Sequence, residues 1–453
     1  MDLPQQIFKA YDIRGIYPDE LNETIAREIA LLFLSFVSKK IGKNPEEMRV
    51  VIARDIRDSS ESLANVFKKT LISKGVQIDD LGLMSVDVIY FATGKFDYDG
   101  GVMVTASHNP GAYGGFKMVS KGVEWVRGIE LWNYQNEKKD FPETTPGKLK
   151  KIDIWNEYLE MIFSFIDIEK IKPMKIVVDA GNGMAGTMIP KIVERLPQVE
   201  LVPLFFEPDG SFPNRNPNPL GEGAYQILSE KVKETQADIG FLYDADADRV
   251  FIVDENGNFL SGDQTLMVLS KQVLEKNPGA GIVYNLICSK NVLEFIKKNG
   301  GRAIRSEVGY VNVGRHMEEQ GGIMGGEVSA HFSFAKNYYS DSGFIAFVLA
   351  LQAISEEGFK ISDFVDANTH WHRASEVNLE IEDKIGALNK IRKHYQENIL
   401  DEIDGITVEF KDWWFNVRPS NTEPFLRVTI ECKNESQIAE KKEEVLEVIS
   451  IKK

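Results

Sequence analysis

At roughly 150 residues per domain, the 453-residue chain is too long for one small module and predicts about three compact units. Its 43% apolar and 27% charged content supplies a sizeable buried core and excludes wholesale disorder. A formal net charge of −16, from 53 Lys plus Arg against 69 Asp plus Glu, opposes attraction to nucleic acid or an anionic membrane surface and leaves open a local basic pocket for one small phosphate.

The longest apolar run near the start, 29–37, is far shorter than the about 20 residues a bilayer requires. Met1-Asp2-Leu3-Pro4 carries no basic n-region. Cys288 and Cys432 stand far apart without CxxC spacing, as expected of two buried thiols in a reducing compartment, with no zinc or redox site. The expected location is the cytoplasm.

Along the chain, short β-branched runs alternate with amphipathic stretches, which predicts α/β units on largely parallel sheets. Strands are expected over 49–53, 175–179 and 281–284, with helices over 60–74 and 290–298. A second set of apolar strands runs into polar loops: 101–105 into Ala106-Ser-His-Asn-Pro110, 239–243 into Asp244-Ala-Asp-Ala-Asp-Arg249, and 322–324 into Gly325-Gly-Glu-Val-Ser-Ala-His331. In open α/β sheets ligands gather beyond the carboxyl ends of strands, so three such loops facing one cleft are expected. The last 80 or so residues predict strands over 376–380, 405–410, 413–417 and 426–430 with few crossovers, a separate α+β unit carrying a fourth polar loop at 418–424. The expected boundaries are 1–151, 152–256, 257–367 and 368–453.

Asp244, Asp246 and Asp248 place three carboxylates at alternate positions after an apolar strand, the hard oxygen cluster that Mg²⁺ or Ca²⁺ prefers. An EF-hand is rejected because Arg249 stands where loop position six demands Gly, with a strand expected immediately after. A phosphatase built on an hhhhDxDx[TV] aspartate nucleophile is disfavoured because Asp248 fills the fifth position of the motif. Ser107, beside His108, has the placement of a nucleophile or phosphoryl carrier, and a phosphoserine would supply acceptor oxygens to a cation in the acidic loop. Arg418, Ser420, Asn421 and Thr422 gather a guanidinium, two hydroxyls and an amide suited to gripping a phosphate. Glu327 and Ser329 suit vicinal sugar hydroxyls.

Taken together, Ala10-Tyr-Asp-Ile-Arg-Gly15, Thr105-Ala-Ser-His-Asn-Pro110, Asp244-Ala-Asp-Ala-Asp-Arg249, Gly326-Glu-Val-Ser-Ala-His331 and Arg418-Pro-Ser-Asn-Thr-Glu-Pro424 resemble the alpha-D-phosphohexomutase family. The Gly-Glu-Val-Ser form of the sugar loop and the run Trp414-Phe-Asn-Val-Arg-Pro419 are most similar to its phosphomannomutase/phosphoglucomutase branch. The resemblance implies three related α/β domains and a C-terminal α+β domain around a central cleft. It also implies exchange of hexose 1- and 6-phosphates, of mannose or glucose, through phosphorylated Ser107 and a hexose 1,6-bisphosphate. Mg²⁺ would be held by Asp244, Asp246, Asp248 and the phosphoserine.

By the same resemblance His108, Lys117 and Arg249 border the transfer site, and Lys117 or His331 handles the hydroxyl proton. Tyr11 and Arg14 sit near the phosphoserine loop. Glu327, Val328, Ser329, Ala330 and His331 contact the sugar, while Arg418, Ser420, Asn421 and Thr422 hold the nonreacting phosphate. Sugar phosphates are the expected partners, and the expected assembly is a monomer or dimer.

The sequence departs from the family pattern at several positions. Ala330 stands where Gly is usual and is expected to restrict the backbone, and Gly114 replaces an Asn. Ile287 and Glu307 occupy positions where basic residues are common, and Tyr310 one where His is common. These changes remove positive and polar groups from the sugar-facing region, with Arg305, Lys290 or Arg315 available to compensate. They keep two alternatives open: a glucosamine-phosphate mutase, and a sugar-phosphate-binding homologue without catalysis.

Overall fold

A computed structural model describes residues 3–420 and 425–450. It contains four sheets, one per unit, and the fold is α/β in the first three. The first sheet runs in the order Ile13–Ile16, Tyr113–Ser120, Gly100–Val104, Arg49–Arg54, Gln77–Leu83, Leu149–Lys151. Its last four strands pair parallel, and the Tyr113–Ser120 strand turns back antiparallel against Gly100–Val104. That reversal brings Lys117 opposite Met103, close to the end of the strand that leads to Ser107.

The second sheet is ordered Val250–Val253, Ile239–Tyr243, Met174–Asp179, Val199–Leu204. Its two leading strands form an antiparallel pair separated by the acidic loop, while the rest pair parallel. The third joins parallel Arg302–Ser306, Gly281–Asn285 and Gly322–Gly326 to antiparallel Phe332–Phe334 and Ser340–Asp341. The fourth is antiparallel throughout, with Phe425–Cys432 central. The expected strands and helices are all present, their ends shifted by at most a few residues.

The first helix illustrates local control. Asn22 accepts from Thr24 N and Ile25 N to start Glu23–Ile41, and Gly42, at φ 70°, closes it in the left-handed region. The Gly343–Ile354 helix is apolar on every side, the mark of a fully buried helix, and is capped by Ser342. One continuous apolar core links the first three units through this helix, whereas the C-terminal unit has its own core around Phe415, Val428 and Val445. Cys288 and Cys432 are free and buried. Among the described residues, no helix is long and apolar enough to cross a membrane.

Candidate active site

The Ser107 loop begins where the Gly100–Val104 strand ends. Thr105 Oγ1 accepts from Ser107 N at 2.9 Å and donates to Asp55 Oδ2 at 2.7 Å. Ser107 is buried with φ 50°, a conformation that costs a non-glycine residue of order 1–3 kcal/mol unless its surroundings hold it. Arg57 supplies that hold: its guanidinium donates to the carbonyls of Ser107 and Asn109, each at 2.5 Å, and of Pro110 at 2.7 Å. Its Nε donates to Asp55 Oδ2 at 3.1 Å. Arg57 and Asp55 are absent from the expected site, and the available signal was the charged 54–60 run directly after a strand.

Ser107 Oγ lies 3.2 Å from His108 Nδ1. Burial, reinforced by Arg249 and Arg14, holds the His108 imidazole well below its usual range, so it is neutral at pH 7 and one ring nitrogen accepts. Arg14 is forked on Asp12 Oδ2 and donates to Asn109 Oδ1 at 2.7 Å, bracing the same loop from the first strand. Tyr11 Oη donates to Val308 O of the third unit at 3.0 Å.

Asp244, Asp246 and Asp248 are fully buried, and one oxygen of each lies within 4.8 Å of the others. Arg249 Nε donates to Asp244 Oδ2 at 2.8 Å. Lys117 Nζ bridges Asp246 Oδ2, at 2.8 Å, and Asp248 Oδ2. Burial pushes Asp244 up to about 7 against the pull of Arg249, and pushes Asp246 up with the help of Asp248. At Asp248 burial acts upward too, but Lys117, His331 and Arg249 outweigh it and hold that carboxylate well below its usual range. Burial opposes charge on Lys117 as well, and Asp246 and Asp248 overcome it, leaving a firmly protonated ammonium.

Asp246 Oδ1 and Asp248 Oδ1 are buried without a hydrogen-bond partner. Buried orphan carboxylate oxygens in a three-carboxylate cluster form the donor set that a hard divalent cation takes, so these residues fit Mg²⁺.

The third unit delivers its loop to the same place. Arg249 and His331 form an isolated antiparallel bridge, and His331 Nε2 is 3.7 Å from Asp248 Oδ1. Ser329 Oγ is 2.9 Å from His331 Nδ1. Buried Glu327 accepts at Oε1 from Gly309 N at 2.6 Å and Asn285 Nδ2 at 3.0 Å, which ties the 327–331 loop to the turn before Tyr310 and to the end of the Gly281–Asn285 strand. Gly309 is at φ 118°, and a Cβ there would come within 2.2 Å of Tyr11 Oη. Val328 packs partly buried against the shared core. Ala330 adopts φ 63° despite its Cβ, so the backbone path expected to be restricted is taken.

Tyr310 was noted in the sequence only as a departure, and the fold gives it a place. Its ring stacks on His331 with centroids 5.1 Å apart, meets Trp125 edge-on at 4.9 Å, and lies 5.9 Å from Lys117 Nζ. Its hydroxyl is buried without a partner. Arg305, Lys290 and Arg315, the cations available to compensate, are each ion-paired within the protein. Arg305 pairs with Asp401, Lys290 with Glu409 at 2.9 Å, and Arg315 with Glu307 at 3.0 Å, because each lies beside an acid that neutralises it.

In the C-terminal unit Arg418 is buried at the end of the Trp413–Pro419 strand, with Nη2 3.3 Å from Glu376 Oε2 and with Asp404 and Glu327 acting on its charge. Ser420 N donates to Phe425 O at 2.9 Å. Asn421 and Thr422 lie outside the described residues.

Four domain families match in chain order. They are phosphoglucomutase/phosphomannomutase alpha/beta/alpha domain I at 5–128, domain II at 156–257, domain III at 261–371, and the C-terminal domain at 376–448. A phosphomannomutase of Escherichia coli strain K12 is 35% identical over 446 residues, covering 96% of each chain. One of Methanocaldococcus jannaschii is 35% identical over 451 residues, covering 98% of this chain and 97% of its own. A crystal structure of a phosphoglucomutase/phosphomannomutase family protein from Burkholderia thailandensis superposes with a TM-score of 0.87 at 31% identity, over 99% of this chain and 98% of that one. With all four domains present in order around one cluster of loops, the chain belongs to the phosphoglucomutase/phosphomannomutase family.

Proposed function

We propose that the protein is a phosphohexomutase that interconverts hexose 1-phosphates and hexose 6-phosphates of mannose and glucose through a phosphoserine at Ser107. The observation that carries this reading is the meeting of Ser107, Lys117 and the acidic loop: Lys117, from the strand beside Ser107's own, is ion-paired with Asp246 and Asp248. Phosphoryl transfer needs positioned charge more than covalent invention, and a buried, ion-paired cluster linked to the Ser107 loop through Thr105 supplies it.

In the first half-reaction the bond from phosphorus to Ser107 Oγ breaks as a bond forms to the free sugar hydroxyl, giving a hexose 1,6-bisphosphate. In the second, after the sugar turns around, Ser107 takes back the other phosphoryl group. Mg²⁺ held by Asp244, Asp246, Asp248 and the phosphoserine would neutralise charge on the transferring group. Arg249 and Lys117 add fixed positive charge. His331 takes the hydroxyl proton in preference to Lys117, because Lys117 is locked as an ammonium while the His331 imidazole is held by Ser329 and faces Asp248. Tyr11 and Arg14 brace the phosphoserine loop.

Glu327 and Ser329 would read ring hydroxyls, with Val328 and Ala330 shaping that loop, and Arg418 with Ser420, Asn421 and Thr422 would hold the phosphate that is not moving. Domain limits at 1–151, 152–256, 257–367 and 368–453 complete the proposal. Intact-mass analysis tests it: incubation with hexose 1,6-bisphosphate adds one phosphoryl group to the wild type and none to Ser107→Ala. A wild type that stays unmodified contradicts it.

A further inference from the structure

The first three units meet at one buried carboxylate that the site described above does not use. Asp87 is 0% exposed in the first turn of the Val86–Lys95 helix, where the helix N-terminus favours negative charge. Its Oδ1 accepts from Ser85 Oγ at 2.5 Å within the first unit. Its Oδ2 accepts from Tyr158 Oη, in the Trp155–Phe163 helix of the second unit, and from Ser342 Oγ of the third, each at 2.5 Å.

None of the three donors carries a charge. The other ionisable groups facing this point are Asp248 from the acidic loop and Tyr243 from the strand that precedes it. A buried carboxylate shared among three hydroxyls from three units is stable only while all three stay in place, since each lost donor leaves an unsatisfied anionic lone pair.

Two of the three donors, Ser85 and Ser342, also sit next to the candidate site. Val86 N, adjacent to Ser85 and Asp87, donates to Asp246 O at 3.3 Å. Ser342 lies between Asp341, whose Oδ2 is 4.0 Å from His331 Nε2, and Gly343. Gly343 abuts the acidic loop closely enough that a Cβ there would fall 2.6 Å from Ala247 O, and its carbonyl accepts from Tyr243 Oη at 3.2 Å. Tyr243 immediately precedes Asp244.

We propose that Asp87 is a positioning residue that sets the acidic loop against the Ser107 and His331 loops by joining three units at one carboxylate. The inference rests on reading that loop as the cation site. Burial pushes the Asp87 carboxyl up to about 6, with the three hydroxyls pulling the other way, so the joint is formed with the ionised group near neutral pH.

The test compares full-length wild type with Asp87→Asn, Tyr158→Phe and Ser342→Ala, the last two removing one donor each while leaving Asp87 intact. Mg²⁺ affinity is read by calorimetry on unphosphorylated protein, and kcat and KM by hexose 1-phosphate turnover. Asp87→Asn is expected to weaken Mg²⁺ binding and lower kcat, each by about tenfold, as outer-shell substitutions around metal sites do. KM should stay within about twofold, because the distant phosphate grip of Arg418 is untouched. Tyr158→Phe and Ser342→Ala should move Mg²⁺ affinity in the same direction, by about threefold, and they carry the test if Asp87→Asn does not fold. Folded variants with lowered thermal midpoints but wild-type Mg²⁺ affinity and kcat would overturn the proposal. A wild type without turnover would instead sink the phosphohexomutase reading, and the calorimetric comparison would still decide the role of Asp87.

Discussion

Lys117 Nζ stands 2.8 Å from Asp246 Oδ2 while also contacting Asp248 Oδ2, so one ammonium from the first unit is shared between two carboxylates of the second. All three side chains are buried, and removing one partner of such a cluster leaves uncompensated charge that costs about 3–5 kcal/mol. Lys117→Gln is therefore expected to lower the thermal midpoint in metal-free buffer and to cut kcat by about 10²-fold. Millimolar Mg²⁺ should restore part of the lost midpoint, since a cation replaces the missing charge. Scanning calorimetry with and without Mg²⁺ checks this, and an unchanged midpoint would contradict it.

Asp246→Asn subtracts one charge from the proposed Mg²⁺ ligands while keeping side-chain shape. The Mg²⁺ concentration for half-maximal rate should rise by at least about tenfold. An unchanged Mg²⁺ dependence would show that the acidic loop does not hold the cation.

Arg57→Lys keeps the charge beside Asp55 and loses the planar fork that reaches three carbonyls of the Ser107 loop. With the positive φ of Ser107 no longer held, phosphoserine formation and kcat should both fall, by about tenfold or more, with KM little changed. Intact mass and steady-state kinetics measure the two effects separately.

Much of this arrangement was legible in the sequence, and the reasons are local. Strand-then-loop patterns place Ser107, Asp244 and Glu327 at strand ends because hydrophobic alternation stops where the polar residues begin. The parts that were not legible depend on contacts between distant segments. Arg57 acts on carbonyls some 50 residues away, and Asp87 on hydroxyls 71 and 255 residues away. Neither Asp87 nor Tyr158 carries a local signature, since one is a helix-start acid and the other one apolar-face aromatic among many. The same blindness made Arg305, Lys290 and Arg315 look available, because their acidic partners are revealed only by folding.

If Arg418 holds the phosphate that does not react, as proposed, Arg418→Ala should raise KM by about tenfold or more with a smaller change in kcat. A change confined to kcat would contradict that role.

The Asp87 carboxyl also predicts a pH dependence of stability. Its folded pKa of about 6 lies above the unfolded value near 3.9, so the folded state holds this proton longer. The contribution to stability is full below the unfolded value and is lost as pH rises through about 6, an amount of about 3 kcal/mol. Asp87→Asn cannot lose it. Raising the pH from 4.5 to 7.5 should therefore shift the gap between the two thermal midpoints in favour of the variant, and a constant gap would contradict the assignment.

The most direct test of the central claim is conversion of mannose 1-phosphate to mannose 6-phosphate by the full-length protein with Mg²⁺ and a trace of hexose 1,6-bisphosphate, run beside Ser107→Ala. The account predicts turnover by the wild type that is lost in the variant. Equal turnover in both, or none from folded wild type across mannose, glucose and glucosamine phosphates, would contradict it.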